Sequence, residues 1–304
     1  MSSLPVIVAV DGSDDSARAL DWAIGETRLR GAVLRLVHVR QYAAWAQPEV
    51  LVAGDELPAE DPVLAGARAR FEGRGDLPDL EYLSVEGAPA AALPELGSSA
   101  QLMVLGSRGR GGFASLLLGS NGMAAARDAD CPVVVVPRPG RQAHGERSLV
   151  EGPRVVAGVS ADAPDDNTLR FAFAAAARRS ATLEVVSAFP WPSYVWTAAG
   201  DFTPSVEDEQ AAQAAIADQM EEILAPYRRR CPGVTVELRV ASGDAAGHIV
   251  AASQGAELVA VGRHHRRLRN PARLLGSVTH AVLLHAAAPV AVVPPGELDT
   301  ADLG

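Results

Sequence analysis

The chain repeats itself, and no other feature narrows its possible folds so far. Residues 6 to 39, VIVAVDGSDDSARALDWAIGETRLRGAVLRLVHV, align without a gap on 155 to 188, VVAGVSADAPDDNTLRFAFAAAARRSATLEVVSA. Each position meets the one 149 further on, so Asp11 falls on Ser160, Leu20 on Leu169, Trp22 on Phe171 and His38 on Ser187. The closing stretches agree as well: AQLMVLGSRGRGGFASLLLGSNGMAAARDADCPVVVVP (100 to 137) parallels AELVAVGRHHRRLRNPARLLGSVTHAVLLHAAAPVAVVP (256 to 294). Self-similarity at so long a period means two copies of one folding unit.

The expected organisation is a first domain over 1–140, a linker over 141–152 and a second domain over 153–304. At ~100 to 200 residues per domain, 304 residues suit two. The segment PRPGRQAHGERSLVEGP (137 to 153) is rich in Pro, Gly and charge and lacks apolar periodicity, as linkers do.

Within each half, short β-branched runs alternate with longer amphipathic stretches. Val6 to Val10 suits a strand buried on both faces, and Ala17, Leu20, Ala23, Ile24 and Thr27 recur at helical spacing. Ser13 or Asp14 can cap that helix and Gly31 can end it. A strand at Leu34 to Val39, an irregular Pro- and Gly-bearing segment from Tyr42 to Asp79 and a strand at Leu80 to Val85 come next. A helix over Pro89 to Ser99, a strand at Leu102 to Leu105, a helix from about Gly119 and a strand at Val133 to Val136 complete the half.

The second half repeats the scheme with strands at Val155 to Val159, Leu183 to Val186, Val234 to Val240, Leu258 to Val261 and Val290 to Val293, and a longer helix over Ser205 to Tyr227. Strands separated by helices require parallel crossovers, so the fold class is α/β: two homologous, doubly wound parallel five-stranded sheets with helices on both faces. The last strands of the halves have open edges, and pairing them predicts an intramolecular pseudo-dimer, with a homodimer of the whole chain as a further step.

Composition removes several functions. The sequence contains no lysine, which excludes a catalytic lysine and the GxxxxGK[ST] P-loop. With 27 basic against 37 acidic residues the net charge is −10, which disfavours nucleic-acid binding. Cys131 and Cys231 have no zinc or redox spacing and read as buried thiols of a reducing compartment. No apolar run reaches the ~18 to 20 residues of a membrane span, and MSSLPVIVAVDGS lacks a basic region followed by an apolar core. The expected location is the cytoplasm.

In an open parallel sheet, ligands bind beyond the carboxyl ends of the strands where strand order reverses. Two stretches of the first half end there. One is AVDGS, with Asp11 at its tip; the other is Gly106-Ser-Arg-Gly109-Arg-Gly111-Gly112 followed by Gly119-Ser120-Asn121 at a helix start. Glycines admit a phosphate close to the backbone, and a helix N-terminus adds unpaired N–H groups. Gly106 and Gly119 are thirteen residues apart, so the intervening chain must fold back if both are to serve one phosphate chain. Arg108 and Arg110 can close over it. Taken by itself, the same pattern also fits an ordinary glycine-rich turn.

Gly106, Gly109, Gly119 and Ser120 match the spacing G-x2-G-x9-G-[ST]. Together with VAVDGS near the start and CPVVVVP at the end of the half, they resemble the universal stress protein family. The resemblance spans both halves, and the first carries the motif of the ATP-binding subclass in full. It implies an adenine nucleotide alpha hydrolase-like fold and an ATP site in the first domain. Ala9, Asp11 and Val39 would bracket adenine and ribose, Leu105 and Gly106 would lie along the ribose, and Gly109, Gly119, Ser120 and Asn121 would hold the phosphates, with Arg108 beside them. Mg2+ would arrive with the nucleotide, since no carboxylate cluster stands ready to hold it.

The second half departs from the motif. Asp11 becomes Ser160, Val39 becomes Ala188, and the loop reads Gly262-Arg-His-His265, with fourteen residues to Gly276. A side chain at 265 intrudes where a backbone must come close, so weak or absent ATP binding is expected there. Arg263, Arg266, Arg267, Arg269 and Arg273 form either an anion site or, as the preferred reading, a solvated basic loop. His264 and His265 lack metal-pair spacing.

His38 reads as a packed core histidine rather than a base. Ser13 and Ser120 read as caps or phosphate contacts, since no GxSxG elbow occurs. Trp45, Trp191 and Trp196 fall in loops after the second strand of each half. The functional expectation is an ATP-binding regulatory or sensory module of the stress response with a protein partner. A slow ATPase or phosphotransferase and a cyclic AMP or mononucleotide buffer are the alternatives.

Overall fold

Apolar β-branched runs form the centre of each sheet because they can be buried on both faces. In the first unit β1 (Val6–Ala9) and β4 (Leu102–Gly106) are adjacent, and Val6, Ile7, Val8, Leu102, Met103 and Val104 are wholly inaccessible. The computed structural model describes residues 4–41, 61–109, 118–141, 150–191, 195–197, 200–202, 205–263 and 275–295. The chain divides into two units, with a boundary between Arg138 and Pro139.

In the first unit β2 (Leu34–Arg40) flanks β1, β3 (Leu80–Glu86) flanks β2, and β5 (Val133–Val136) flanks β4, all parallel. The order β3-β2-β1-β4-β5 reverses direction between β1 and β4, which makes that gap the switch point of a doubly wound sheet. Right-handed crossovers then place α1 (Asp14–Arg30) and α2 (Pro62–Ala69) on one face, and α3 (Pro89–Glu95) and α4 (Ser120–Asp128) on the other.

Local chemistry sets the helix ends. Ser13, not Asp14, is the N-cap of α1: its hydroxyl accepts from Ser16 N. At the other end Gly31 takes the left-handed conformation, φ 58°, and returns its N–H to Arg28 O and Thr27 O. The expected helix over Pro89 to Ser99 ends earlier, at Glu95, and tightens into a 3-10 turn over Leu96–Ser99, where Pro94 weakens further α-helical pairing. The irregular segment expected after β2 also holds a helix, α2, that Asp61 caps through Val63 N and Leu64 N. Residues 42–60, Trp45 among them, lie outside the described residues.

The second unit repeats the order with β6 (Arg154–Gly158), β7 (Thr182–Phe189), β10 (Val236–Ser242), β11 (Leu258–Gly262) and β12 (Val290–Val293), arranged β10-β7-β6-β11-β12. A short antiparallel hairpin, β8 (Val195–Thr197) with β9 (Gly200–Phe202), follows β7 and was not legible in the pattern. Helix α5 (Asp166–Arg179) starts three positions later than its counterpart α1, because Asp165 rather than the position equivalent to Ser13 caps it. Helix α6 (Val206–Arg230) opens with a reciprocal Ser205–Asp208 capping box. Helices α7 (Ala245–Ala252) and α8 (Ser277–His285) complete the unit.

Cys131 is buried as expected. Cys231 is not: it stands half-buried at the C-cap of α6, where the helix gives way to the turn before β10. No helix among the described residues is long and apolar enough to cross a membrane.

Candidate functional site in the first unit

The tip of β1 turns on Asp11. Its Oδ1 accepts from Ser13 N at 3.0 Å and from Ser13 Oγ at 2.6 Å, which fixes the turn into α1. Across the switch point, β4 ends at Gly106 and the chain passes through Ser107 to Gly109. Ser107 N donates to Val136 O at 3.0 Å, and Gly119 N donates to Ser107 O at 2.8 Å. That second bond closes the excursion anticipated from the spacing: it brings the start of α4 back onto the tip of β4. Arg110 and the remainder of the excursion lie outside the described residues.

These tips surround a cavity of about 330 Å3. On the β2 side of β1 its walls are Val37 and Val39 with Pro89 and Leu93 of α3; on the β4 side they are Leu105, Gly106, Gly109 and Gly119 to Gly122. All ten residues singled out from the sequence, Ala9, Asp11, Val39, Leu105, Gly106, Arg108, Gly109, Gly119, Ser120 and Asn121, border this one space. Ser16, Val37, Pro89, Leu93 and Ser107 also border it and were not anticipated.

The glycines are there for close approach rather than for unusual torsions. A β-carbon on Gly106 would stand 2.5 Å from the carbonyl oxygen of Asp15, and one on Gly109 would stand 2.6 Å from Asp11 Oδ2. Asp11, assigned from the sequence to the nucleoside end alone, therefore also touches the glycine loop. Gly119 is the N-cap of α4 and has no side chain to offer, so among the described residues no side chain caps the first-turn amides of that helix, which start at the cavity wall.

Two buried carboxylates brace the site. Asp15, 2 % exposed, accepts from Ser107 Oγ at 3.0 Å, from Arg138 Nε at 2.8 Å and from Arg18 Nη2. Burial pushes its carboxyl up, but the hydrogen bonds from Arg138, Ser107 and Arg18 outweigh burial and hold it below the usual carboxylate range. Asp61 behaves alike: burial raises it, and Ser84, His38 and the Leu64 amide bring it lower.

The expectation for His38 needs correcting. Its side chain is 17 % exposed and its Nδ1 lies 2.7 Å from Asp61 Oδ2, so the ring is held by a carboxylate at the cavity margin rather than packed in the core. Ser84 Oγ donates to the same Asp61 oxygen at 2.7 Å. Serine and imidazole both point at the acid, so they do not form the Ser–His–Asp relay of a nucleophilic triad. Among the described residues no group of three or more His, Cys, Asp or Glu side chains could hold a metal ion.

In the second unit, Gly262 sits where Gly106 does, but Asp165 and Thr168 occupy its neighbourhood: a β-carbon there would stand 2.7 Å from Asp165 Oδ2. Residues 264–274, including His265 and the basic loop, lie outside the described residues. Trp191 meets Phe189 edge-on at 6.1 Å.

A parallel sheet wound in both directions, with its cavity and a helix start at the switch point, defines a doubly wound α/β protein. The sequence profile of the universal stress protein family matches residues 4–137 and again 153–294, and the chain belongs to that family. A universal stress protein of Mycobacterium tuberculosis is 31% identical over 297 residues, covering 94% of this chain and 96% of the relative. The crystal structure of a functionally unknown protein from Pseudomonas aeruginosa superposes with a TM-score of 0.63 at 17% identity, covering 96% of this chain and 92% of the other. A universal stress protein from Archaeoglobus fulgidus gives 0.59 at 17% identity, with 96% and 98% coverage. The two structures agree with this chain in fold.

Proposed function

We propose that this universal stress protein binds ATP in the first unit and acts as a regulatory module of the stress response, its occupancy read by a protein partner. The observation that supports this most is the convergence of the complete G-x2-G-x9-G-S motif and the β1 and β2 tips on one cavity. Its size, about 330 Å3, is at the lower end of the ~300 to 1,000 Å3 usual for small-molecule sites. The apolar flank of Val37, Val39, Pro89 and Leu93 suits a purine. The glycine loop and the start of α4 suit a polyphosphate, because backbone N–H groups and the positive helix end attract anions.

Mg2+ would be held mainly by the phosphates it accompanies and would neutralise part of their charge. The chain's own contribution is positioning: Gly109 and Gly119 bring backbone amides near, and Arg108 borders the same space. Any hydrolysis is expected to be slow, because Asp11, the acid among the described residues of the cavity wall, is engaged by Ser13 N and Oγ at the β1 tip. The second unit, with Ser160 for Asp11 and His265 in the sequence position of the second glycine, is expected to bind ATP weakly or not at all.

Denaturing release and mass analysis of what co-purifies with the chain tests this reading. About one ATP per chain is the expected result. A different ligand, or failure to bind added ATP at all, overturns it.

A further inference from the structure

Asp15 is a buried carboxylate that no feature of the nucleotide motif explains. It lies directly beneath the glycine loop: its carbonyl oxygen occupies the place a β-carbon of Gly106 would take, and its carboxylate receives the hydroxyl of Ser107. Ser107 in turn makes three bonds. Its N–H goes to Val136 O on β5, its Oγ–H to Asp15 Oδ2, and its carbonyl accepts the N–H of Gly119 at the start of α4. Arg138, just beyond β5, places Nε 2.8 Å from Asp15 Oδ1 and 3.1 Å from Oδ2. Arg18 reaches the same carboxylate from one turn along α1.

The second unit supplies an internal comparison. By the repeat alignment, Asp15 corresponds to Pro164, Ser107 to Arg263 and Arg138 to Pro295. Arg263 N still donates to Val293 O, as Ser107 N does to Val136 O, so the strand ends are alike. None of the three residues is kept at its aligned position: Asp165 still brings a carboxylate beside Gly262, but no serine hydroxyl stands at 263 to donate to it and no arginine follows β12, in the same unit whose glycine motif is broken.

From this, and resting on the nucleotide reading above, we infer that Asp15, Ser107 and Arg138 form a clamp that positions the glycine loop and the start of α4 for the phosphates, and so sets the preference for ATP over adenosine. These are positioning residues. Asp15 carries a negative charge near an anion site, and that charge alone would weaken ATP binding. Removing it while keeping the side-chain shape therefore separates the two roles: as a clamp its loss weakens ATP binding, and as a mere charge its loss strengthens it.

The test measures ATP and adenosine affinities by calorimetry for the full chain and for Asp15→Asn and Ser107→Ala, with thermal unfolding alongside. The expected result is ATP binding weakened about tenfold in each variant, the scale of one lost charge-assisted hydrogen bond, with adenosine binding unchanged. An unchanged ATP-to-adenosine ratio, or tighter ATP binding by Asp15→Asn, overturns the clamp. Ser107→Ala removes only a hydroxyl and decides the matter should Asp15→Asn fail to fold. Absence of ATP binding by the wild-type chain overturns the nucleotide reading instead, which a clamp failure alone leaves standing.

Discussion

The carboxylate of Asp11 rests on the α-carbon side of Gly109, so close that a β-carbon would lie 2.6 Å from Oδ2. The tip of β1 and the glycine loop after β4 are thereby in contact across the switch point, and any side chain at 109 must displace one or the other.

Gly109→Asp is therefore expected to abolish nucleotide binding while the unit stays folded. The new carboxylate is driven against that of Asp11 at the cavity mouth, where it also repels phosphate. Gly109→Ala is expected to weaken binding less, since the Asp11 side chain can turn aside. Nucleotide content after purification, read beside circular dichroism, checks both; full ATP occupancy in Gly109→Asp would refute the loop assignment.

Gly106→Ala should act differently. Its β-carbon would meet the backbone of Asp15 at 2.5 Å, and backbone has nowhere to swing. Helix α1 must move, at a cost of about 2 kcal/mol, or a fall in Tm on the order of 5 °C. Calorimetric scanning measures it, and an unshifted transition contradicts the packing described.

Ser13→Ala removes the cap of α1 and the hydroxyl that donates to Asp11. A loss of about 1 kcal/mol is expected, together with weaker ATP binding as Asp11 is freed. Urea unfolding and calorimetry on one preparation test the pairing of effects.

The two units end their first helices with the same left-handed turn, Gly31 at φ 58° and Ser180 at φ 50°. Ser180 is the one non-glycine residue with positive φ among those described. A β-carbon strains this conformation by ~1 to 2 kcal/mol, and glycine returns part of the gain through greater freedom when unfolded. Ser180→Gly should stabilise the chain by about 0.5 kcal/mol, and no gain in unfolding midpoint would count against it.

Stability should fall in acid by way of Asp61 and Asp15. Both have folded-state values below the ordinary 3.8, so each contributes stability that is fully present above 3.8 and is lost as pH falls through the lower folded value. Urea unfolding between about pH 2 and pH 5 should show this decline at the acid end. It should be shallower in Asp61→Asn, which keeps an oxygen for the cap of α2 but no longer titrates. Equal slopes in both proteins would exclude a role for Asp61.

Much of the molecule was legible in its sequence because period carries so much of the information. Apolar runs of four or five residues mark strands buried on both faces, and the positions of Gly31, Ser205 and the valine strands follow from local preferences. The hairpin after β7 and helix α2 were missed, since short elements between Pro and Gly residues leave no clear period. The site was legible to the extent that motif residues are glycines, whose spacing is visible. His38 misled because its partner, Asp61, is 23 positions away and meets it only through the placement of α2.

The tandem repeat, the α/β class, the family and ten of the residues that border the cavity could be read from the chain alone, because each is written in local pattern, in a glycine motif or in the offset between halves. What braces them emerges only once the chain is folded. Ser107 meets Asp15 across 92 positions and Arg138 meets it across 123. Contacts that distant arise when parallel crossovers bring strand tips together, and a buried carboxylate must then be satisfied by whichever donors the fold has delivered.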